Sequence, residues 1–192
     1  MSESPKDLMI RYLQTLRDAA LWKLDGVSEY DVRRPLVQSG SNLLGIVKHL
    51  GYCEFGYFTQ TFGREMPVPD LWAQEGVDPH DDLWVPADES RQDVIDFYRL
   101  AQAEAARTFE ETELDSEGRV PWWPEERATV TLHQILVHMS VETARHVGQM
   151  DVLRESLDGA IGMRSDAMNL PEDDYDWAGY IAKVQASAEH FR

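Results

Sequence analysis

Apolar residues recur every three or four positions in five stretches of the chain, a spacing that places them on one face of an α-helix. These stretches cover residues 9–24, 46–57, 94–109, 135–153 and 177–188. The alternation typical of β-strands is nearly absent. The pattern therefore predicts an all-α protein, in which an antiparallel four-helix bundle and an extra C-terminal helix form a single domain over residues 1–192.

Capping signals mark where two of these helices begin. Ser4 precedes Pro5, and proline suits the first position of a helix because its missing N–H is not needed there. Thr131 precedes Gln134 by three residues, which is the spacing of a capping box. The second helix is expected over residues 41–63.

A long irregular stretch, residues 64–87, separates the second and third helices. Four prolines and a glycine interrupt any regular element there. A loop of this length is uncommon in a compact domain and is often functional. Two tryptophans, Trp72 and Trp84, predict that it folds back onto the bundle.

Charge and composition exclude several classes of partner. The chain has 18 Lys and Arg against 35 Asp and Glu, a formal net charge of -17, which disfavours binding to nucleic-acid phosphates or to an anionic membrane. No apolar run approaches the roughly 20 residues that span a bilayer, and residues 1–5 lack a signal-peptide core, so a cytoplasmic protein is expected. The single cysteine, Cys53, excludes an internal disulfide.

Ionisable residues interrupt two of the apolar stripes. His138, Glu142 and His146 follow one another at four-residue spacing in the fourth helix, and His49 lies on the stripe of the second. Such groups must be paired, hydrogen-bonded or coordinated when they face a bundle core. The outer two of the three lie ~12 Å apart along the helix axis, so one metal ion can take Glu142 with only one of these histidines. The spacing leaves that choice open.

The same segments resemble a known family, the DinB-like bundle proteins. Residues 41–50 read Ser-Asn-Leu-Leu-Gly-Ile-Val-Lys-His-Leu, residues 137–139 read Val-His-Met, and residues 142–149 read Glu-Thr-Ala-Arg-His-Val-Gly-Gln. Asp158-Gly159, the Asn-Leu-Pro of residues 169–171 and Trp177 are also similar. The resemblance covers nearly the whole chain and is to the actinobacterial branch of mycothiol-dependent S-transferases and maleylpyruvate isomerase.

This resemblance implies a divalent metal, zinc first and nickel or iron next, held by His49, Glu142 and His146. Many relatives have His at the position of Glu142. His138 then becomes a pocket residue or a residue supporting the ligands. Three protein ligands leave a position open for water or for a thiol, and the resemblance favours a low-molecular-weight thiol, mycothiol, as cosubstrate.

Three residues near the implied ligands in the sequence each have a structural interpretation as well as a functional one. Cys53 lies one turn after His49 and could close the site as a fourth ligand, but a single helical cysteine is more often a small core residue. Glu54 is expected to be solvated or paired with a neighbouring helix, with support of the ligands as the alternative. Arg145 could bind a cosubstrate carboxylate or form a surface ion pair.

The sequence also predicts where the tryptophans and the other histidines lie. The tryptophans, Trp72, Trp84, Trp122 and Trp123, are expected to pack in the core and under the loop, and as an alternative to wall a substrate pocket over the metal. The other histidines, His80, His133 and His190, are expected on the surface.

The predicted function is therefore a metal-dependent enzyme that transfers a small thiol to an electrophilic small molecule. Three alternatives stay open: a binding or sequestration protein that its metal braces, a metal-dependent hydrolase of the same fold, and a metal-free helical dimer whose polar residues bond to one another. A homodimer is the default expectation, and neither nucleic acid nor membrane is an expected partner.

Overall fold

Four long helices form the body of the protein, as the apolar stripes predict. The computed structural model describes residues 3–167, 170–171 and 174–192, so that Asn169 of the C-terminal motif lies outside the described residues. The helices are α1 (Pro5–Trp22), α2 (Glu29–Arg33), α3 (Leu43–Glu54), α4 (Arg91–Glu111), α5 (Glu125–Ala128), α6 (Leu132–Asp158) and α7 (Trp177–Glu189). α3 packs against α4 and α6, and α1 packs against α6, which confirms an all-α bundle.

The predicted helix starts are confirmed. The Ser4 hydroxyl accepts a hydrogen bond from the backbone N–H of Asp7, with Pro5 in the first turn. The Thr131 hydroxyl accepts one from the backbone N–H of Gln134 at 3.2 Å. Each bond satisfies one of the backbone donors that the first turn of a helix leaves without a partner.

A short β-ribbon precedes α6 and is a difference from the predicted topology. β1 (Glu117–Arg119) pairs antiparallel with β2 (Thr129–Thr131), with Gly118 opposite Val130. Three residues are too few to show an alternating pattern, so periodicity alone does not reveal such strands. The segment between the strands carries Trp122 and Trp123 to the side of the bundle where α3 ends.

The helical backbone continues beyond Glu54, first in a wider and then in a tighter turn. A π-helical turn covers Phe55–Thr59 and a 3-10 turn covers Gln60–Phe62, after which Gly63 adopts a left-handed conformation with φ 73°. The predicted extent of this helix, residues 41–63, is therefore confirmed. Its π turn is invisible to sequence spacing, and such turns are frequent at functional sites.

A buried ion pair links α1 to α3. The guanidinium of Arg17 donates to both carboxylate oxygens of Glu54, at 2.6 and 2.5 Å, and the side chains are only 3% and 0% exposed. Burial by itself lowers the pKa of Arg17, but the Glu54 carboxylate more than offsets this and raises it. Glu54 is thus paired with a neighbouring helix, which is the first of its two predicted interpretations.

α7 leaves its apolar stripe exposed. Tyr180, Ile181 and Val184 all lie on the surface, and none of the residues of this helix is buried. In the described part of the chain, no helix is both long enough and apolar enough to cross a membrane.

Glu54→Gln is expected to lower the free energy of unfolding by about 3–5 kcal/mol, because it leaves the buried Arg17 charge without its carboxylate. Urea denaturation followed by circular dichroism measures this change. Glu3→Gln is the matched control: it breaks the exposed pair with Arg11, which solvent screens, and is expected to change stability little. Equal losses in the two variants would show that burial of the Arg17–Glu54 pair is not what matters.

Candidate metal centre

The packing of α3 against α6 brings three ionisable side chains to one point. Nε2 of His49 lies 3.7 Å from Oε1 of Glu142, and Nε2 of His146 lies 3.1 Å from the same oxygen. The two imidazole rings are edge to face, with centroids 4.8 Å apart. Glu142 thus lies between the two histidines. The group whose ligand atoms all lie within 4.8 Å of one another is His49, Cys53 and Glu142, and it does not include His146.

Asp82 holds the His49 ring from behind. Nδ1 of His49 donates to Oδ2 of Asp82 at 2.5 Å, and Asp82 is itself buried. Burial lowers the pKa of His49, but the bonds to Asp82 and Cys53 outweigh it and raise that pKa to about 10. A carboxylate on one ring nitrogen directs the other nitrogen toward a metal, and this is the usual support of histidine ligands. Sequence reasoning missed Asp82, because no spacing distinguishes it from the other acids of the loop.

The loop that carries Asp82 is seated on the first turns of α3. The Asn42 side chain donates to the backbone carbonyl of Leu83 at 3.2 Å, beside Gly45. A Cβ added at Gly45 would lie 1.9 Å from that same carbonyl oxygen, so only glycine permits this approach. Asn42, Gly45 and His49 stand at helical spacing on one face, and that face receives the loop.

Cys53 adds a fourth donor to the group. Its Sγ lies 3.4 Å from Nε2 of His49, and His49, Cys53 and Glu142 each offer an atom within 4.8 Å of the other two. Nitrogen, oxygen and sulfur donors on one tetrahedral zinc ion lie about 3.3–3.6 Å apart, given bonds of about 2.0–2.3 Å. The separations of 3.1, 3.4 and 3.7 Å fall close to that range, so these residues fit a divalent metal.

His146 differs from His49 in its surroundings. Burial lowers the pKa of His146 and so does the neighbouring His49, while Glu142 opposes both. Its Nδ1 is buried and, within the described residues, has no hydrogen-bond partner. The ring is therefore neutral at pH 7, which is the form that ligates a metal.

A cavity of about 630 Å³ opens beside these donors, a size typical of sites for small molecules. Its walls include Tyr52, Tyr57, Met66, Asp70, Trp72, Trp122 and His138, besides His49, Cys53, Asp82 and Glu142. Trp72 and Trp122 are each 50% exposed and wall the cavity, whereas Trp84 is 51% exposed and does not. The expectation that these three pack in the core is wrong, because about half of each side chain is exposed. The alternative, that tryptophans wall a pocket, holds for Trp72 and Trp122.

The remaining predicted residues lie apart from the donors. The His138 ring is in the cavity wall, with its centroid 4.6 Å from Tyr57 and 5.2 Å from Trp123. Glu54 faces Arg17, away from the cavity. Arg145 is exposed, and the described residues include no ion-pair partner for it. The other histidines, His80, His133 and His190, are exposed.

Comparison with known proteins agrees with the resemblance that the motifs carry. The model of the Mycothiol-S-transferase family matches residues 8–159, which is well over half of the chain and includes every candidate ligand. No curated protein matches the chain. The matched region ends with α6, so α7 is additional to it.

Separating the loop from α3 is expected to weaken divalent-metal binding about 10–100-fold, as loss of a ligand's supporting partner typically does. Gly45→Ala would push the Leu83 carbonyl away, and Asp82→Ala would remove the carboxylate behind His49. Competition with a chromophoric chelator measures the metal affinity.

Two variants control for general effects of these substitutions. Gly148→Ala adds a Cβ with no atom within 4 Å, and Asp88→Ala removes an exposed acid that follows the loop. Both are expected to bind metal as the unmodified chain does. Unchanged affinity in Asp82→Ala would rule out its role in orienting His49.

Proposed function

Because the chain belongs to the mycothiol-S-transferase family, we propose that it transfers a low-molecular-weight thiol, mycothiol, to an electrophilic small molecule with the help of a divalent metal. The ligands in this proposal are His49, Glu142 and His146. The observation that carries it is the convergence of these side chains from two helices beside a cavity that His49 and Glu142 line, with Asp82 orienting His49.

The donor set suits this chemistry. Two imidazoles and one carboxylate are the ligands of catalytic zinc sites, in which at least one coordination position stays open. With a pKa of about 10 the His49 ring is protonated at pH 7 without a metal, so metal binding at Nε2 would release that proton. A bound divalent cation such as Zn²⁺ supplies one thing here, the stabilisation of a thiol in its deprotonated, nucleophilic form. Glu142 contributes the single negative charge among the three ligands.

The protein around the donors orients them, excludes water and admits substrates. Asp82 holds His49 in one tautomer, so that Nε2 faces the cavity. The buried side of the site, between α3 and α6, excludes water from behind the donors, while the cavity admits substrates from the other side. The cavity is large enough to hold part of a thiol cosubstrate together with a small electrophile.

One observation favours a second candidate function. The 3.4 Å between Sγ of Cys53 and Nε2 of His49 is a separation that two ligands of one zinc ion would have. A site closed by Cys53 has no position for a cosubstrate thiol, and the protein would then be a binding or sequestration module that the metal braces. The two functions therefore differ in which side chains hold the metal.

Purified His49→Ala and His146→Ala are each expected to retain less than about a tenth of the metal found in the unmodified protein, because each loses one of three ligands. Cys53→Ala is expected to keep its metal. Elemental analysis by mass spectrometry measures the content, and His133→Ala, which removes an exposed histidine of the same helix, is the matched control.

A different pattern would support the second function. Metal lost in Cys53→Ala as well as in His49→Ala and His146→Ala would assign four protein ligands and a closed site. Substitution with Co²⁺ gives an independent measurement, since a thiolate ligand adds a charge-transfer band in the near ultraviolet. That band should be absent before a thiol is added and should appear on addition of mycothiol.

Mycothiol consumption in the presence of electrophiles is expected to require the metal. Removal of the metal with a chelator should lower the rate at least about a hundredfold, because metal activation of a nucleophile contributes several kcal/mol of transition-state stabilisation. Adding back Zn²⁺, Ni²⁺ or Fe²⁺ in turn identifies the metal. No turnover across a broad panel of electrophiles, with metal bound, would exclude the transferase.

A further inference from the structure

The side chains that line the cavity restrict the chemical class of the electrophile, which the metal ligands alone do not. Two indoles stand at its rim, Trp72 from the loop and Trp122 from the segment between the β-strands, and each is half exposed. An exposed indole loses hydrophobic stabilisation, and tryptophans at the edge of a pocket are typical of sites that bind apolar or aromatic ligands. These two rings and the charges near them therefore bear on which electrophile the cavity accepts.

Both indoles are held in place on one side only. The Trp72 ring centroid lies 6.3 Å from that of Tyr52, and the Trp122 centroid lies 5.2 Å from that of Tyr57. Trp122 also rests on Gly56, where an added Cβ would lie 2.7 Å from the indole. The surroundings fix the two rings but leave about half of each open to solvent and to the cavity.

The charges that line the cavity are mainly negative. Asp70, Asp82 and Glu142 contribute carboxylates, and no Lys or Arg lines the cavity in the described part of the chain. Asp82 is paired with His49, and a divalent cation would be neutralised by Glu142 together with a bound thiolate. Asp70 has no such compensation among the described residues, where its carboxylate accepts hydrogen bonds from the Gln60 side chain and from the backbone N–H of Trp72.

We infer that the acceptor in the proposed thiol transfer is an uncharged, electron-poor aromatic compound that packs against Trp72 and Trp122, and that carboxylate-bearing acceptors are rejected. This inference rests on the proposed function. Electron-rich indole faces favour offset stacking on electron-poor rings. With the metal neutralised by Glu142 and the thiolate, the charge of Asp70 is left uncompensated and repels an anionic acceptor.

The corresponding reaction is a nucleophilic aromatic substitution. The thiol sulfur forms a bond to a ring carbon, the bond from that carbon to a halide breaks, and the halide leaves with the bonding electron pair. The proton of the thiol goes to solvent. No oxidant or reductant is needed.

Two probes of nearly equal shape separate charge from shape, 3-nitrobenzamide and 3-nitrobenzoate. Neither carries a leaving group, so isothermal titration calorimetry measures binding alone, with the protein as purified and again after treatment with a chelator. The amide is expected to bind about tenfold tighter than the carboxylate in the chelator-treated protein, where the charges of Asp70 and Glu142 are both uncompensated. In the metal-loaded protein the same preference is expected once mycothiol occupies the open coordination position, which would otherwise attract a carboxylate. Equal affinities, tighter binding of the carboxylate, or no binding of the amide would overturn the inference.

Variants within the same loop assign the effect to residues. Trp72→Leu is expected to weaken binding of the amide at least threefold, while Trp84→Leu, which removes an equally exposed indole outside the cavity, leaves it unchanged. Asp70→Asn keeps the acceptor atom that caps Trp72 and should reduce the preference for the amide to a third or less, with Asp88→Asn as its control. Equal effects in a variant and its control would overturn the assignment.

Transfer of mycothiol to 4-chloro-3-nitrobenzamide tests the two proposals separately. Turnover of this amide and not of 4-chloro-3-nitrobenzoate, after correction for the uncatalysed rates, supports both. Selective binding of the neutral probe without any turnover would contradict the transferase and leave the specificity of the cavity established. Turnover of the benzoate at an equal rate would contradict the specificity and leave the transferase established.

Discussion

The seating of the 64–87 loop on α3 is the contact on which the rest of the site depends. One small face of the helix, formed by Asn42, Gly45 and His49, receives the loop through a hydrogen bond, a close backbone approach and a carboxylate–imidazole bond. The same contact orients a candidate ligand and places Trp72 and Asp70 around the cavity. Without it, the donors would have neither a fixed direction nor a wall opposite them.

Two glutamates on inward helix faces show how the surroundings decide between structure and chemistry. Glu54 is fully buried and bonds through both oxygens to Arg17, so its charge is compensated and its lone pairs are occupied. Glu142 is only partly buried, faces two imidazoles and borders a cavity. A cation can reach the second carboxylate and not the first. Ionisable groups in a bundle core are therefore distinguished by what is left open beside them and not by burial alone.

Sequence reasoning succeeded where local periodicity carries the information. Helical stripes predicted the four long helices, and the four-residue spacing put Glu142 and His146 on one face. The proposal of His146 and not His138 as a ligand rests on the family resemblance, because both histidines are one turn from Glu142. Asp82, the π turn at Phe55–Thr59 and the β-ribbon were missed, since each depends on contacts between distant segments or on a local change in helix geometry. For the same reason, the position of Trp72 and Trp122 in the cavity wall was only the alternative to the expected packing in the core.

The net charge of -17 contributes little to the choice between neutral and anionic acceptors in the cavity. Most of the acids lie on the surface, where water and salt screen a charge beyond about 10 Å. The acids that bear on a ligand are those that line the cavity, and two of the three have a partner there, His49 for Asp82 and a prospective cation for Glu142. Asp70 is the acid without a partner of opposite charge among the described cavity residues, and it lies beside Trp72 because it accepts a hydrogen bond from the backbone N–H of that residue. The discrimination between a neutral and an anionic acceptor therefore depends on one carboxylate at the rim, and it would persist in a relative of opposite net charge that kept this loop.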